Sequence, residues 1–241
     1  MSPVTLEIAA NSLASALAAQ EGGAERVELC ENLGEGGCTP SYGTLAMARE
    51  RLRIPLYVLI RPRAGDFRFD ALERDTMLRD IELCVRLGCD GVVIGALDGN
   101  GDVDVALCRD LVDAARPLGV TFHRAIDVAR DPHAALESAI ALDCERVLTS
   151  GAHATAMEGA DVIAALVQRA AGRIGVMAGA GVTPENVRDL VQRTGVREVH
   201  ASAKTLVEST LALPRRLPGL EAQRWQTSAA VVRALRQALE S

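Results

Sequence analysis

Short apolar runs alternate with longer amphipathic stretches along the whole chain. The runs are "TLEIA", "RVELC", "PLYVLIR", "DGVVIGA", "GVTFHRA", "RVLTSG", "RIGVMAG" and "REVHASA", beginning near Thr5, Arg26, Pro55, Asp90, Gly119, Arg146, Arg173 and Arg197. Between them, segments such as "DALERDTMLRDIELCVRLG" repeat apolar residues at three- and four-residue spacing, the period of a helix with one buried face. Helix start signals fall where this alternation needs them. Asp131 and Thr183 are each followed by proline, as at an N-cap and first helical position, and Gly88 follows the third helix. Eight strand–helix units in 241 residues predict a (β/α)8 TIM barrel, with residues 1–241 as one domain. The stretch "LVESTLALPRRLPGLEAQR" (206–224) has no period and is expected to be an extra loop before the C-terminal helix "TSAAVVRALRQALE".

Alternate side chains of a barrel strand point inward and outward, so each run divides into two columns. The outward column is apolar: Leu6 and Ile8, Val27 and Leu29, Leu56, Val58 and Ile60, Val120 and Phe122, Val199, Ala201 and Ala203. The inward column holds Glu7, Glu28, Cys30, Tyr57, Leu59, Arg61, Thr121, His123, Met177, Gly179, Glu198, His200 and Ser202, with Asp127 just past the fifth strand. A barrel interior with no other task is filled by branched apolar side chains. Unpaired buried charges cost several kcal/mol each, roughly, so Glu7, Glu28, Arg61, His123, Asp127 and His200 must pair, bind a ligand, or both. Their convergence near the C-terminal strand ends predicts a site.

The turns after the strands add candidates. "RPRAGDF" carries Arg61 and Arg63, whose planar guanidiniums suit a carboxylate or phosphate. "MAGAGVTPEN" runs through Gly179 and Gly181 into a helix start, an arrangement that exposes backbone N–H groups to an anion. "LTSG" brings Thr149 and Ser150, and Ser202 follows the eighth strand. The glycine-rich stretch "ENLGEGGCTPSYG" is expected to form a flexible rim or lid. These residues suit proton transfer next to a carbonyl. Glu7 or Glu28 would be the base, His123 the acid–base partner oriented by Asp127, and His200 the polarising group. Glu7, Glu28, His123 and His200 could instead hold a divalent metal.

Composition narrows the setting. Aromatics are 2% of the chain and hydrophobic residues 49%, so the core is built from Ala, Val, Leu and Ile, as suits helices over a parallel sheet. A net charge of −6 argues against nucleic-acid binding. No apolar run reaches the roughly 18 residues of a membrane span. No export signal is visible at the N-terminus, so a cytoplasmic location is expected. None of the six cysteines forms a C-x-x-C pair. Cys89 and Cys144 precede strands, Cys84 and Cys108 lie in helices, and only Cys30 and Cys38 belong to the upper rim. A soft-metal site on those two, completed by His123 or His200, is geometrically open.

Taken together, "ELCENLGEGGCTPSYG", "IRPRAGDF", "TFHRAID", "RVLTSG", "MAGAGV" and "HASA" resemble the CutC family, named for copper homeostasis, over nearly the whole chain. The resemblance implies a cytoplasmic TIM barrel, a homodimer, with a role in binding or handling Cu(I). It marks Cys30 as the matching copper ligand. The first strand departs from the family pattern, because Ala9 stands where relatives often have a cysteine. The residues themselves favour the alternative of an enzyme, an isomerase, epimerase or lyase acting on a small anionic, sugar-like substrate.

Overall fold

A computed structural model describes residues 4–211, 215, 217 and 222–240. Eight parallel strands close into a barrel in chain order. They are β1 (Thr5–Ala10), β2 (Arg26–Leu29), β3 (Leu56–Leu59), β4 (Gly91–Ile94), β5 (Gly119–Phe122), β6 (Arg146–Thr149), β7 (Gly175–Gly179) and β8 (Glu198–Ala201). Each begins within two residues of the position expected from its apolar run. The helices between them are α1 (Leu13–Glu21), α2 (Tyr42–Arg51), α3 (Ala71–Leu87), α4 (Val105–Ala115), α5 (Pro132–Ala141), α6 (Ala160–Ala170) and α7 (Val187–Thr194), and α8 (Ala229–Glu240) ends the chain.

The two-column reading holds within the strands, but Ala203, expected outward, lies past the end of β8 and lines the barrel mouth. Leu6, Ile8, Val27, Leu29, Leu56, Val58, Val120 and Phe122 all join the main core between sheet and helices. Cys30, Tyr57, Leu59 and Val93 form a separate small apolar cluster inside the barrel. The caps follow their chemistry. Asp131 accepts the N–H groups of His133 and Ala134 at the start of α5, with Pro132 in the first turn. Gly88 ends α3 in the left-handed conformation at φ 69°.

Two expectations need correction. Thr183 does not cap α7, which begins at Val187 with Asn186 before it. The Asn186 side chain accepts the Thr183 N–H at 2.9 Å, so Thr183–Pro184 form part of a turn over the barrel mouth. The stretch before α8 is not simply a loop. β9 (Lys204–Glu208) and β10 (Gln223–Thr227) pair antiparallel, with Trp225 opposite Leu206. Residues 212–214, 216 and 218–221 of that stretch lie outside the described residues. The hairpin is tied back to the first unit, since Asn11 Nδ2 donates to the Trp225 carbonyl at 3.0 Å and the Thr227 N–H to Ser15 Oγ at 3.1 Å. It walls one side of the C-terminal mouth. No helix among the described residues is long and apolar enough to cross a membrane.

Candidate functional site

The lower half of the barrel interior is a charge network. Arg26, in the same inward column as Glu28, pairs with Glu7 of β1 and Glu198 of β8. Arg146 of β6 reaches Glu198 at 3.0 Å and Thr121 Oγ1 at 3.1 Å. Both guanidiniums lie against the ring of Tyr57, at 5.3 and 4.9 Å from its centre. The column argument could have found Arg26, which lies two residues before inward Glu28. These pairings keep the buried charges ionised.

Above this floor stand Glu7, His200 and Glu28. Register sets Glu7 beside His200 on β1 and β8, and Ala9 beside Glu28 on β1 and β2. His200 Nδ1 lies 2.7 Å from Glu7 Oε1 and its Nε2 lies 3.3 Å from Glu28 Oε2. Gly179 occupies the place beside His200 on β7, where a methyl group would press on Leu148 and on His200. Burial would raise Glu7, yet Arg26 and His200 outweigh it and hold the carboxyl down to about 2. Burial pushes Glu28 up to about 7, more than the neighbouring His200 offsets, and the charge of Glu7 adds to the rise. His200 is raised against the effect of burial by the two carboxylates that flank it. Two carboxyl groups around one imidazolium are thereby driven apart in acidity.

Glu28 and His200 face a cavity of about 780 Å³ at the C-terminal ends of the strands, which Cys30, Arg61, His123 and Asp127 also line. Glu7 lies beneath it, 1% exposed. Ala180, Gly181, Val182, Ser202, Ala203 and Lys204 form the wall from the turns after β7 and β8. Ala180 and Gly181 both have positive φ, 83° and 69°, and the N–H groups of Gly181 and Val182 have no partner among the described residues. The ammonium of Lys204, the chain's single lysine, lies 5.0 Å from the Trp225 ring centre.

Several expected residues are placed differently. Arg63 points away from the cavity, paired with Glu73 and with Asp66. Arg61 lines the cavity, but its terminal nitrogens donate to the carbonyls of Glu35, Gly37 and Gly65. With the bridge between Glu31 and Cys38, this pins the loop after β2, which is therefore no free lid. The expected Asp127–His123 pair does not form. Asp127 accepts instead from Thr149 Oγ1 at 2.5 Å, from the Ser150 N–H at 3.0 Å and from Arg124 Nε at 2.7 Å. Ser150 is thus fully buried in that knot, away from the ligand-accessible wall. Arg124 also lines the cavity. Its position past the strand end puts it beyond the reach of parity.

All six cysteines are free. The Cys30 thiol donates to the Ala10 carbonyl at 3.7 Å, and burial, then Glu28, pushes it well above its usual range. Among the described residues, the cluster of three metal-capable donors is Glu7, Glu28 and His200, with no cysteine in it.

The CutC family model matches residues 4–205. Proteins called family protein CutC are similar over most of their length. One from Xanthomonas axonopodis pv. citri is 66% identical over 209 residues, 87% of each chain. One from Chromobacterium violaceum is 56% identical over 241 residues, 98% of each. A crystal structure of a Streptococcus agalactiae CutC, named for copper homeostasis, superposes with a TM-score of 0.79 at 36% identity, covering 83% of this chain and 98% of that one. Thiamine phosphate pyrophosphorylase from Pyrococcus furiosus, at 15% identity and a TM-score of 0.62, covers 98% of this chain and 96% of its own and shares the fold alone.

Proposed function

The chain belongs to the CutC family, and from that premise we propose that it is an enzyme that moves a proton next to a carbonyl group. It is an isomerase, epimerase or lyase acting on a small anionic, sugar-like molecule at the barrel mouth. The observation that supports this reading is the separation of Glu28 from Glu7 across His200. A carboxyl poised near neutrality and facing a cavity can both take and return a proton, which is what a general base needs. Glu7 is held in the ionised form, keeps His200 in place and favours its charged form.

In the proposed step Glu28 takes the hydrogen on the carbon beside the carbonyl. The C–H electrons form a carbon–carbon double bond, and the carbonyl oxygen takes up the negative charge. For an α-hydroxy carbonyl, the hydroxyl proton passes to the enolate oxygen and the carbon proton returns to the former carbonyl carbon, which gives the isomer; protonation of the original carbon by a donor on the opposite face gives the epimer. The anionic end of the substrate fits the wall after β7 and β8, where the N–H groups of Gly181 and Val182 have no partner among the described residues and Lys204 supplies a cation. This wall takes over the role that the sequence suggested for Arg61 and Arg63. The proposal extends to a cytoplasmic homodimer, on the family resemblance.

The test is exchange of substrate hydrogen with heavy water, followed by NMR over a panel of sugars and sugar phosphates. At least one compound is expected to exchange with the wild type and not with Glu28→Gln. No exchange with any compound would sink the proposal.

Cu(I) binding or handling is the second reading, favoured by the family name and by Cys30 at the cavity wall. Cu(I) is soft and prefers thiolate or thioether donors. Here the Cys30 thiol is kept protonated by burial, Cys38 is the one neighbouring thiol and does not line the cavity, Ala9 supplies no further one, and the clustered donors among the described residues are carboxylates and imidazole. This donor set does not fit Cu(I).

A further inference from the structure

Among the described residues, Nε2 of His123 is a buried polar atom without a hydrogen-bond partner, and the residue lines the cavity. The other ring nitrogen explains which proton is present. The Ala125 N–H donates to Nδ1 at 3.2 Å, and a nitrogen that accepts a hydrogen bond carries no proton, so the proton is on Nε2. The ring cannot swing to find Nε2 a protein acceptor. Phe67 packs on it with ring centres 4.9 Å apart, and Gly95, just past β4, lies so close that a methyl there would overlap Nδ1 and Cε1. The charged groups facing His123 are Arg61, from the end of β3, and Asp127, from the turn after β5. Burial, then Arg61, holds the imidazole down to about 3, so it stays uncharged across the physiological range.

A buried donor left unpaired costs roughly 1–3 kcal/mol, which a ligand acceptor would relieve. We infer that the cavity takes an α-hydroxy aldehyde or ketone whose carbonyl oxygen sits on the Nε2–H of His123. An uncharged donor suits an oxygen that is neutral in the ground state and gains charge only as the neighbouring C–H bond breaks. Neutral imidazole polarising a carbonyl is a known solution in barrel isomerases. In its catalytic sense the inference rests on the reading of Glu28 as base; in its binding sense it does not. It also moves the polarising role from His200 to His123.

Two probes that differ only at the carbonyl position separate the possibilities: dihydroxyacetone phosphate and 3-hydroxypropyl phosphate, an alcohol with no oxygen at that carbon to accept from Nε2–H. In 15N-labelled protein, His123 is expected to keep its proton on Nε2 between about pH 5 and 8, where an ordinary histidine titrates. The ketone should move that proton's resonance and the alcohol should not. His123→Phe should bind the ketone about tenfold or more weakly while binding the alcohol unchanged, and His123→Gln, which keeps a donor, should recover most of the loss. A proton on Nδ1, titration within that range, or equal responses to the two probes would overturn the inference. Glu28→Gln tells the two proposals apart, since it should abolish hydrogen exchange yet leave the His123 response to the ketone. If the wild type shows that response and no exchange with any compound, the proton-transfer reading fails and the carbonyl site stands.

Discussion

Glu7 and His200 are register partners on β1 and β8, and their side chains meet at 2.7 Å between Oε1 and Nδ1. One carboxylate therefore serves two cations, because its other oxygen pairs with Arg26. The floor of the barrel and the floor of the cavity are joined through this residue.

Removing that charge should be felt in stability before anything else. Glu7→Gln leaves Arg26 and His200 facing a neutral amide, and breaking a buried ion pair costs about 3–5 kcal/mol. Urea unfolding at neutral pH should show a loss of that order. The sign with pH follows from a folded value depressed from 4.5 to about 2. This contribution is fully present above 4.5 and is lost as pH falls through about 2, so the deficit of Glu7→Gln relative to wild type should shrink only in strong acid.

Glu28 should behave in the opposite way. Its folded value is raised from 4.5 to about 7, so its contribution is complete below 4.5 and is lost as pH rises through 7. Glu28→Gln removes the cost of ionising a buried carboxyl. Its stability relative to wild type should therefore rise by about 1–3 kcal/mol between acid and mildly alkaline conditions, at roughly 1.4 kcal/mol per unit. Melting temperatures of both proteins across that range would check it. A difference that does not change with pH would contradict the assignment.

Asp127 acts on the loop after β6. Asp127→Asn should loosen the contacts to Thr149, Ser150 and Arg124, at a cost of about 1–3 kcal/mol. It should leave the His123 proton on Nε2, because Asp127 does not bond to that ring. Thermal melts and the 15N histidine spectrum read these two outcomes separately.

The thiols should prove indifferent to copper. A Cu(I) titration against a competing chelator is expected to give weak affinity, unchanged by Cys30→Ser. Tight binding lost in Cys30→Ser would restore the copper reading.

The inward and outward columns were legible because strand parity is local: Leu6 and Ile8 can only face helices if Glu7 faces in. The same counting placed Glu28, His123 and His200 inside and would have placed Arg26 there too. It could not say which charges meet. Barrel closure lays β8 beside β1 and brings His200 to Glu7 across 193 residues, a long-range register that no local pattern encodes. Nor could parity follow side chains past a strand end, which is why Arg61 fastens a loop and Arg124 turns inward. The residues from Leu206 lacked a period because β9 and β10 are short and largely exposed, without the apolar alternation that a buried face imposes.

By itself, then, the sequence determined the eightfold alternation, the buried face of each strand and the identity of the charged interior, since these depend on residue type and spacing. Only the tertiary structure decided that Asp127 belongs to Thr149 and Ser150 rather than to His123. That choice depends on where two loops come together in space and on which backbone N–H, that of Ala125, reaches the imidazole first.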